Sequence, residues 1–247
     1  MRFLLALIAW FALANSAFGA IAEVVGQKTH SDSSGSVDTL AIAFPINVTS
    51  GNLVCVGGGF YTGSSGNTVT VSDTLTSTFS TYSYTDNAGI YVFVSCAKVS
   101  SSAADTITID PNANAYISAA IDEFSGVGLF DVDGGSATSD TLTTSGVASI
   151  NITTVANNAI VFGVMSDYVS GSTSITEAGG WTLIGEQEDN SCCVASSFIF
   201  KVVGAAGVQT PSWTIGNTSG YTWLAYAISY KPTVTTTAVR HRPAVMQ

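Results

Sequence analysis

Any chemistry in this chain has to come from two histidines, four cysteines and seventeen acidic residues. A Ser-His-Asp or Cys-His centre needs an imidazole held by packing and oriented by a third group. His241 lies in the C-terminal tail and His30 in a Ser/Asp/Gly-rich stretch, so neither position offers that support. Triad chemistry and a histidine-ligated zinc site are disfavoured on this ground. Carboxylates are the second source. A glycosidase needs two, about 5 to 9.5 Å apart across a cleft. The candidates are Asp122 with Glu123, Asp131 with Asp133, and Glu186, Glu188 and Asp189. Asp122 and Glu123 are neighbours on an expected strand and point to opposite faces. Glu186 and Glu188 share a face at a strand end, where a solvated edge is the simpler reading. A glycoside hydrolase is therefore less favoured than a binding or structural role, and no catalytic residue is assigned.

Asp131-Val132-Asp133-Gly134-Gly135, with Asp140 nearby, puts several oxygen ligands on an expected turn, and Ca²⁺ takes six to eight. An EF-hand loop would continue with more acidic residues and a closing Glu, which this stretch lacks. Asp131, Asp133 and Asp140 are the candidate calcium ligands; the preferred reading is an Asp/Gly turn that bonds its own backbone. No other cofactor is implied. Cys55, Cys96, Cys192 and Cys193 are disulfide candidates, since an even number in an exported chain favours pairing. Cys192 and Cys193 point to opposite sides, and a bond between neighbours would strain the peptide. Three connectivities stay open. Aromatic rings beside turns can stack on sugar faces when exposed and are ordinary core when buried. Trp181 after Gly179-Gly180, Tyr221 after Gly220, and Tyr168 are the candidate ligand-binding residues, whereas Trp223 reads as core.

The elements that must position these residues are strands. Residues 40–48, 53–61, 68–72, 90–99, 106–109 and 115–124 are rich in Val, Ile, Thr, Tyr and Phe. So are 147–154, 159–166, 181–187, 194–203, 212–215 and 222–230, and Gly/Ser/Asn clusters separate them. The run 159–165 is apolar throughout and reads as a central strand covered on both faces. This spacing predicts an all-β chain: a two-sheet antiparallel sandwich, jelly-roll-like in topology.

Arg2, the apolar run from Phe3 to Leu13 and the small residues of Ala17-Phe18-Gly19-Ala20 follow the layout of a secretory signal peptide. Residues 1–19 are read as that signal, with cleavage after Ala20 as the alternative. Residues 20–232 form the expected single domain and 233–247 a flexible tail. The apolar run is well short of the ~20 residues of a membrane-spanning helix.

Charged residues make up 10% of the chain and the formal net charge is -10. Outside the signal and tail only Lys28, Lys98, Lys201 and Lys231 are basic, so no phosphate-neutralising patch can be assembled. Nucleic acid is rejected as a partner, and so is an anionic membrane surface.

Gly51-Asn52-Leu53-Val54, Val69-Thr70-Val71-Ser72-Asp73, Asp122-Glu123-Phe124-Ser125-Gly126-Val127, an Asp-containing loop at 130–133 and Asn158-Ala159-Ile160-Val161-Phe162-Gly163 occur in that order. The chain thereby resembles β-sandwich domains of bacterial secreted and phage- or surface-associated proteins, in which GNLLVV, VSDS, EYSG and NELLVG recur. The resemblance runs from about residue 40 to 230. It implies the fold and the secreted setting, and no catalytic residue; the four cysteines depart from it.

The expected function is that of a secreted, non-catalytic structural or adhesion protein at the cell surface or outside the cell. Its partner is an extracellular protein or glycan surface, or further copies of itself. The alternative is a lectin-like carbohydrate-binding module, with calcium as an optional aid.

Overall fold

The fold, a computed structural model, is described for residues 17–86, 88–142, 145–168, 174–188, 193–216 and 221–235. β-branched and aromatic residues favour pleated ladders over helices, and the described chain is strands and turns. In the first half these are β1 (Ala17–Phe18), β2 (Ala22–Glu23), β3 (Thr29–Asp32), β4 (Leu40–Ala43), β5 (Leu53–Tyr61), β6 (Val69–Asp73), β7 (Ser80–Thr85), β8 (Ile90–Lys98), β9 (Thr106–Pro111) and β10 (Tyr116–Ser125). The second half continues with β11 (Val127–Leu142), β12 (Ser145–Ser149), β13 (Ile152–Thr154), β14 (Ile160–Asp167), β15 (Ser174–Glu177) and β16 (Thr182–Gln187). It ends with β17 (Ala195–Val202), β18 (Gly207–Gln209), β19 (Ser212–Gly216), β20 (Tyr221–Pro232) and β21 (Val234–Thr235).

The same sheet order occurs twice. In the first half a large sheet runs β10-β5-β8-β7, with β2 and β3 on the outer edge of β10, and a small sheet runs β4-β9-β6. In the second half the large sheet is β20-β14-β17-β16, with β11 on the outer edge of β20, and the small sheet is β12-β19-β15. Hydrogen bonds repeat with the topology. Val99 N–H donates to Asn52 O at 3.1 Å, and Val203 N–H donates to Ala159 O at 2.8 Å at the matching place. The pairs β13–β18 and β1–β21 complete the described ladders, all antiparallel.

Alternation along the strands builds three apolar layers. On β10, Ile117, Ala119 and Ile121 face the small sheet of their own half, with Ile42, Val71, Ile107 and Ile109. Ala120 and Phe124 face the other way, onto Phe162, Phe198, Phe200, Tyr226 and Tyr230 of the second large sheet. On the far side, Val161, Met165, Ile199 and Ala225 pack against Ile175, Trp213 and Ile215 of the second small sheet. The two large sheets therefore lie face to face inside, each backed by its small sheet. Cys55 and Cys96, directly paired across β5 and β8, form a disulfide in this central layer. Gly57 permits the close approach there: a Cβ at this position would come within 2.5 Å of the Phe198 ring. Between the halves the chain turns at Gly126, whose φ of 71° suits glycine alone at low cost.

Several expectations change against this structure. Sequence reasoning expects one pair of sheets, and the described residues form six. The stretch 130–135, expected as a loop and turn, is part of the sixteen-residue strand β11, broken by four register shifts along β20. Bulges of this kind bend an edge strand and spoil it as a template for a further strand. His30, expected in an open stretch, is in β3 opposite Ala120. The expected tail contributes Val234 and Thr235 to a short ladder with Ala17 and Phe18, at the expected cleavage site. β14 is central and buried along its whole length, as its apolar run implies.

Candidate functional site

The carboxylates of β10 have structural partners. Glu123 is fully buried and accepts hydrogen bonds from Gln27 Nε2 at 2.6 Å, Asn52 Nδ2 at 2.7 Å and the Thr49 amide at 2.7 Å. It fastens the β4–β5 connection to the sheet. Asp122, also fully buried, faces the central layer as its alternation with Glu123 requires. Its Oδ1 accepts the Glu123 amide at 2.8 Å, and its Oδ2 has no partner.

His30 Nε2 lies 3.2 Å from Ser118 Oγ, which lies 2.7 Å from Ser196 Oγ of the other large sheet. Asp32 acts on the imidazole through its charge, so Asp32, His30 and Ser118 have the residue types of a hydrolytic triad. Burial nonetheless lowers the His30 pKa, and Ser118 is sealed between the sheets with no exposed surface. The arrangement is a polar bridge between layers. Sequence reasoning misses it because β3 and β10 are joined by strand pairing and β17 reaches them only by packing of the two large sheets.

Asp131 and Asp133 reach different partners. Asp131 Oδ2 accepts the Val155 and Ala156 amides at 3.0 and 3.3 Å and the Ser229 hydroxyl at 3.3 Å. Lys231 Nζ is 3.6 Å from its Oδ1. Asp133 accepts the Gly135 amide at 2.7 Å and the Tyr226 hydroxyl at 3.1 Å. The Asp140 side chain lies outside the described residues. Among the described residues no three His, Cys, Asp or Glu side chains are grouped as metal ligands. Cys193 is disulfide-bonded, like Cys55 and Cys96, and Cys192 lies outside the described residues.

The expected ring residues do not converge. Trp181 is half-buried against the second half's inner core, with Lys201 Nζ 5.6 Å from the ring centre. Tyr168 packs against the central layer, 4.8 Å from the Tyr61 ring. Trp181 precedes Thr182, which pairs with Phe200, while Tyr168 follows Asp167, which pairs with Ala195. At ~3.4 Å per residue the two lie about 24 Å apart along the strands. The Tyr221 side chain lies outside the described residues; its backbone pairs with Leu142 at the Tyr168 end.

That end of the second half holds the groups sequence reasoning missed. Asp167, the last residue of β14, is fully buried, and among the described residues neither carboxylate oxygen has a hydrogen-bond partner. Burial pushes its pKa up to about 7, and the Tyr168 backbone amide opposes the rise. Trp223, paired with Asp167 across the ladder, is buried with an unpartnered indole N–H. The neighbouring buried indole of Trp213 donates to Ser197 Oγ at 3.1 Å. Two strands away, Glu188 accepts the Ile175 amide at 2.8 Å. Burial, then the charges of Glu188 and Glu177, push Glu186 up to about 7. Most buried polar groups are satisfied, so an orphan acceptor beside an orphan donor marks this end as the candidate site. The available signal was a comparison of the halves: Phe60-Tyr61 closes β5 where Asp167-Tyr168 follows the same place on β14.

No protein-family model matches the chain, and neither a curated protein nor a solved structure matches it.

Proposed function

We propose that this chain is a secreted, non-catalytic protein that attaches to a glycan or protein surface outside the cell. The observation that carries the reading is the fate of its chemistry-bearing residues. Glu123, Asp131, Asp133 and the His30–Ser118–Ser196 bridge all have partners within the fold, where they join strands and layers. The Cys55–Cys96 disulfide supports an oxidising setting, where such bonds persist. The signal-like leader and the scarcity of charged side chains point the same way.

We read each half as a jelly-roll-like two-sheet sandwich and residues 20–232 as one folding unit. The strand order supports this: taking β3 or β11 as the first strand and leaving out the separate β13–β18 pair, the first, third and sixth strands flank or follow the eighth in the large sheet. The second, seventh and fourth form the small one. In the common jelly roll the fifth strand belongs to the small sheet; here it edges the large one.

The test is retention of purified mature protein on immobilised cell-surface polysaccharides, with assay of released reducing ends. Retention without release is expected. Release of reducing ends that disappears in Glu186→Gln would replace this reading with a glycosidase.

A further inference from the structure

We propose that the Cys55–Cys96 disulfide is a thiol-exchange site. A small external thiol enters the cavity beside Cys96, bonds to its sulfur and displaces Cys55, which takes up the proton of Asp122. This chemistry does not depend on the attachment reading.

Strand pairing sets four residues in one row across the first large sheet. Asp122 of β10 is opposite Cys55 of β5, Cys55 is opposite Cys96 of β8, and Cys96 is opposite Ser80 of β7. Opposite residues share a face, and the two cysteines belong to the central layer. The row therefore runs from a buried carboxyl, through the disulfide, to an exposed serine at the edge of the sheet. A cavity of about 260 Å³ lies at that edge. Cys96 lines it together with Thr78, Ser80, Lys98, Phe130 and Tyr230, and Thr78 and Ser80 are exposed. Cys96 keeps 2% of its surface exposed, whereas Cys55, one strand further in, has none. The two sulfurs are thus unequal: Cys96 is the one a thiol reaches, and Cys55 is the one that leaves.

The second half shows that the fold does not require this row. The Val99–Asn52 and Val203–Ala159 bonds align β5 with β14 and β8 with β17. Phe162 then stands where Cys55 does and Phe200 where Cys96 does, flanked by Ile228 in place of Asp122 and Thr182 in place of Ser80. Phe162, Phe200 and Ile228 pack into the same central layer, so apolar side chains fill these positions well. The first half instead holds a disulfide and a buried carboxyl whose Oδ2 has no partner among the described residues. Such an orphan acceptor is unfavourable for folding.

The thiolate form of the external thiol is the attacking species, and access decides which sulfur is attacked. Lys98, the one charged residue among the described residues lining the cavity, favours an anion there. Its ammonium donates to the Gly51 carbonyl at 2.9 Å and to the Val127 carbonyl. A bond forms between the external sulfur and Cys96 Sγ, and the Cys55–Cys96 bond breaks with its electron pair on Cys55. A bare thiolate in an apolar layer is unfavourable. Directly opposite residues have Cβ atoms about 4.5 to 5.5 Å apart, which puts the Asp122 carboxyl within reach of Cys55. Burial pushes the Asp122 pKa up to about 8, so the group holds its proton at neutral pH. The carboxylate left behind keeps the Glu123 amide as donor at 2.8 Å. The products are a mixed disulfide at Cys96 and a thiol at Cys55, with no net oxidation or reduction.

The experiment treats the oxidised, full mature protein with 2-mercaptoethanol at pH 7, followed by acid quench, alkylation in denaturant and peptide mapping. The expected product carries the adduct on Cys96 and the alkyl group on Cys55, and it forms at a rate unchanged by urea below the unfolding transition. Ser80→Phe, which fills the cavity, and Asp122→Asn are each expected to slow the reaction by roughly tenfold. Near-ultraviolet dichroism checks folding, and Thr78→Phe serves if Ser80→Phe does not fold. Adducts on both cysteines alike, or a rate that climbs steeply with urea, would mean that thiol reaches the sulfurs only in opened molecules and would overturn the site. Unchanged rates in the cavity-filling variant or in Asp122→Asn overturn it as well, as does the absence of any adduct on the folded protein.

Discussion

Asp122→Asn should make this protein more stable at pH 8 and flatten its response to pH. Asp122 is fully buried on the face of β10 that packs against the second half, and only one of its oxygens has a partner. Burial, with the charges of Glu23 and Glu123 adding and the Glu123 amide and Lys28 opposing, pushes its pKa from 3.8 up to about 8. The unfolded chain releases this proton near pH 3.8, while the folded chain keeps it until about pH 8. The folded state therefore binds the extra proton across that window, and stability falls as pH rises through it. The contribution is complete below pH 3.8 and lost above about 8. At about 1.4 kcal/mol per pH unit, the full window is worth on the order of 5 kcal/mol. Asparagine keeps an acceptor for the Glu123 amide and cannot ionise. Urea midpoints of wild type and variant at pH 5, 6, 7 and 8 measure the difference directly. Wild type should lose stability with rising pH more steeply than the variant, with a residual slope from Asp167, whose pKa is raised in the same sense. Parallel curves for the two proteins would refute the reasoning.

Other outcomes follow from the layers. Replacing Cys55 and Cys96 together by alanine opens a loop of sequence separation 41. The chain-entropy relation gives a loss of about 4 kcal/mol, read as a lower urea midpoint, with peptide mapping of the unreduced protein expected to recover the Cys55–Cys96 link. Phe162 meets Phe124 across the central layer and Phe198 and Tyr230 within its own sheet, so Phe162→Ala should cost about 3 to 5 kcal/mol. Calorimetry on that variant should still show one transition; two would mean that the halves unfold separately. Intact mass of the exported protein should begin at Ala20, or at Ile21. Loss of the β1–β21 ladder in that form should leave the melting temperature within a few degrees of the unprocessed chain, since that ladder lies outside all three apolar cores.

Central strands were readable from sequence and edge strands unevenly so: 181–187 and 68–72 fall within a residue of β16 and β6, whereas β7 and β11 were not expected. Residues 53–61 match β5 in full, and 90–99 and 159–166 fall within a residue of β8 and β14, because all three are buried on both faces and carry unbroken apolar runs. β7, Ser-Thr-Tyr-Ser-Tyr-Thr, edges its sheet and is only partly buried, so every one of its six side chains carries a hydroxyl and no apolar run marks it. β11 misleads more strongly. Its Asp131, Asp133 and paired glycines have turn chemistry, yet the carboxylates anchor a bulged edge. The repeat was hidden because each half keeps the pattern of burial while the residues change, as Phe60 to Asp167 and Tyr91 to Ala195 illustrate. The site was hidden for the same reason. Asp167 ends an apolar strand and looks like its solvated boundary, and only pairing with Trp223 inside the fold shows two unmet polar groups together.

The most direct test of the account is to place the purified mature protein on immobilised extracellular polysaccharides and measure retention and glycan chain length in the same wells. Retention with chain length unchanged is the predicted result. Shortened glycan, or no retention on any surface, would contradict a secreted attachment protein.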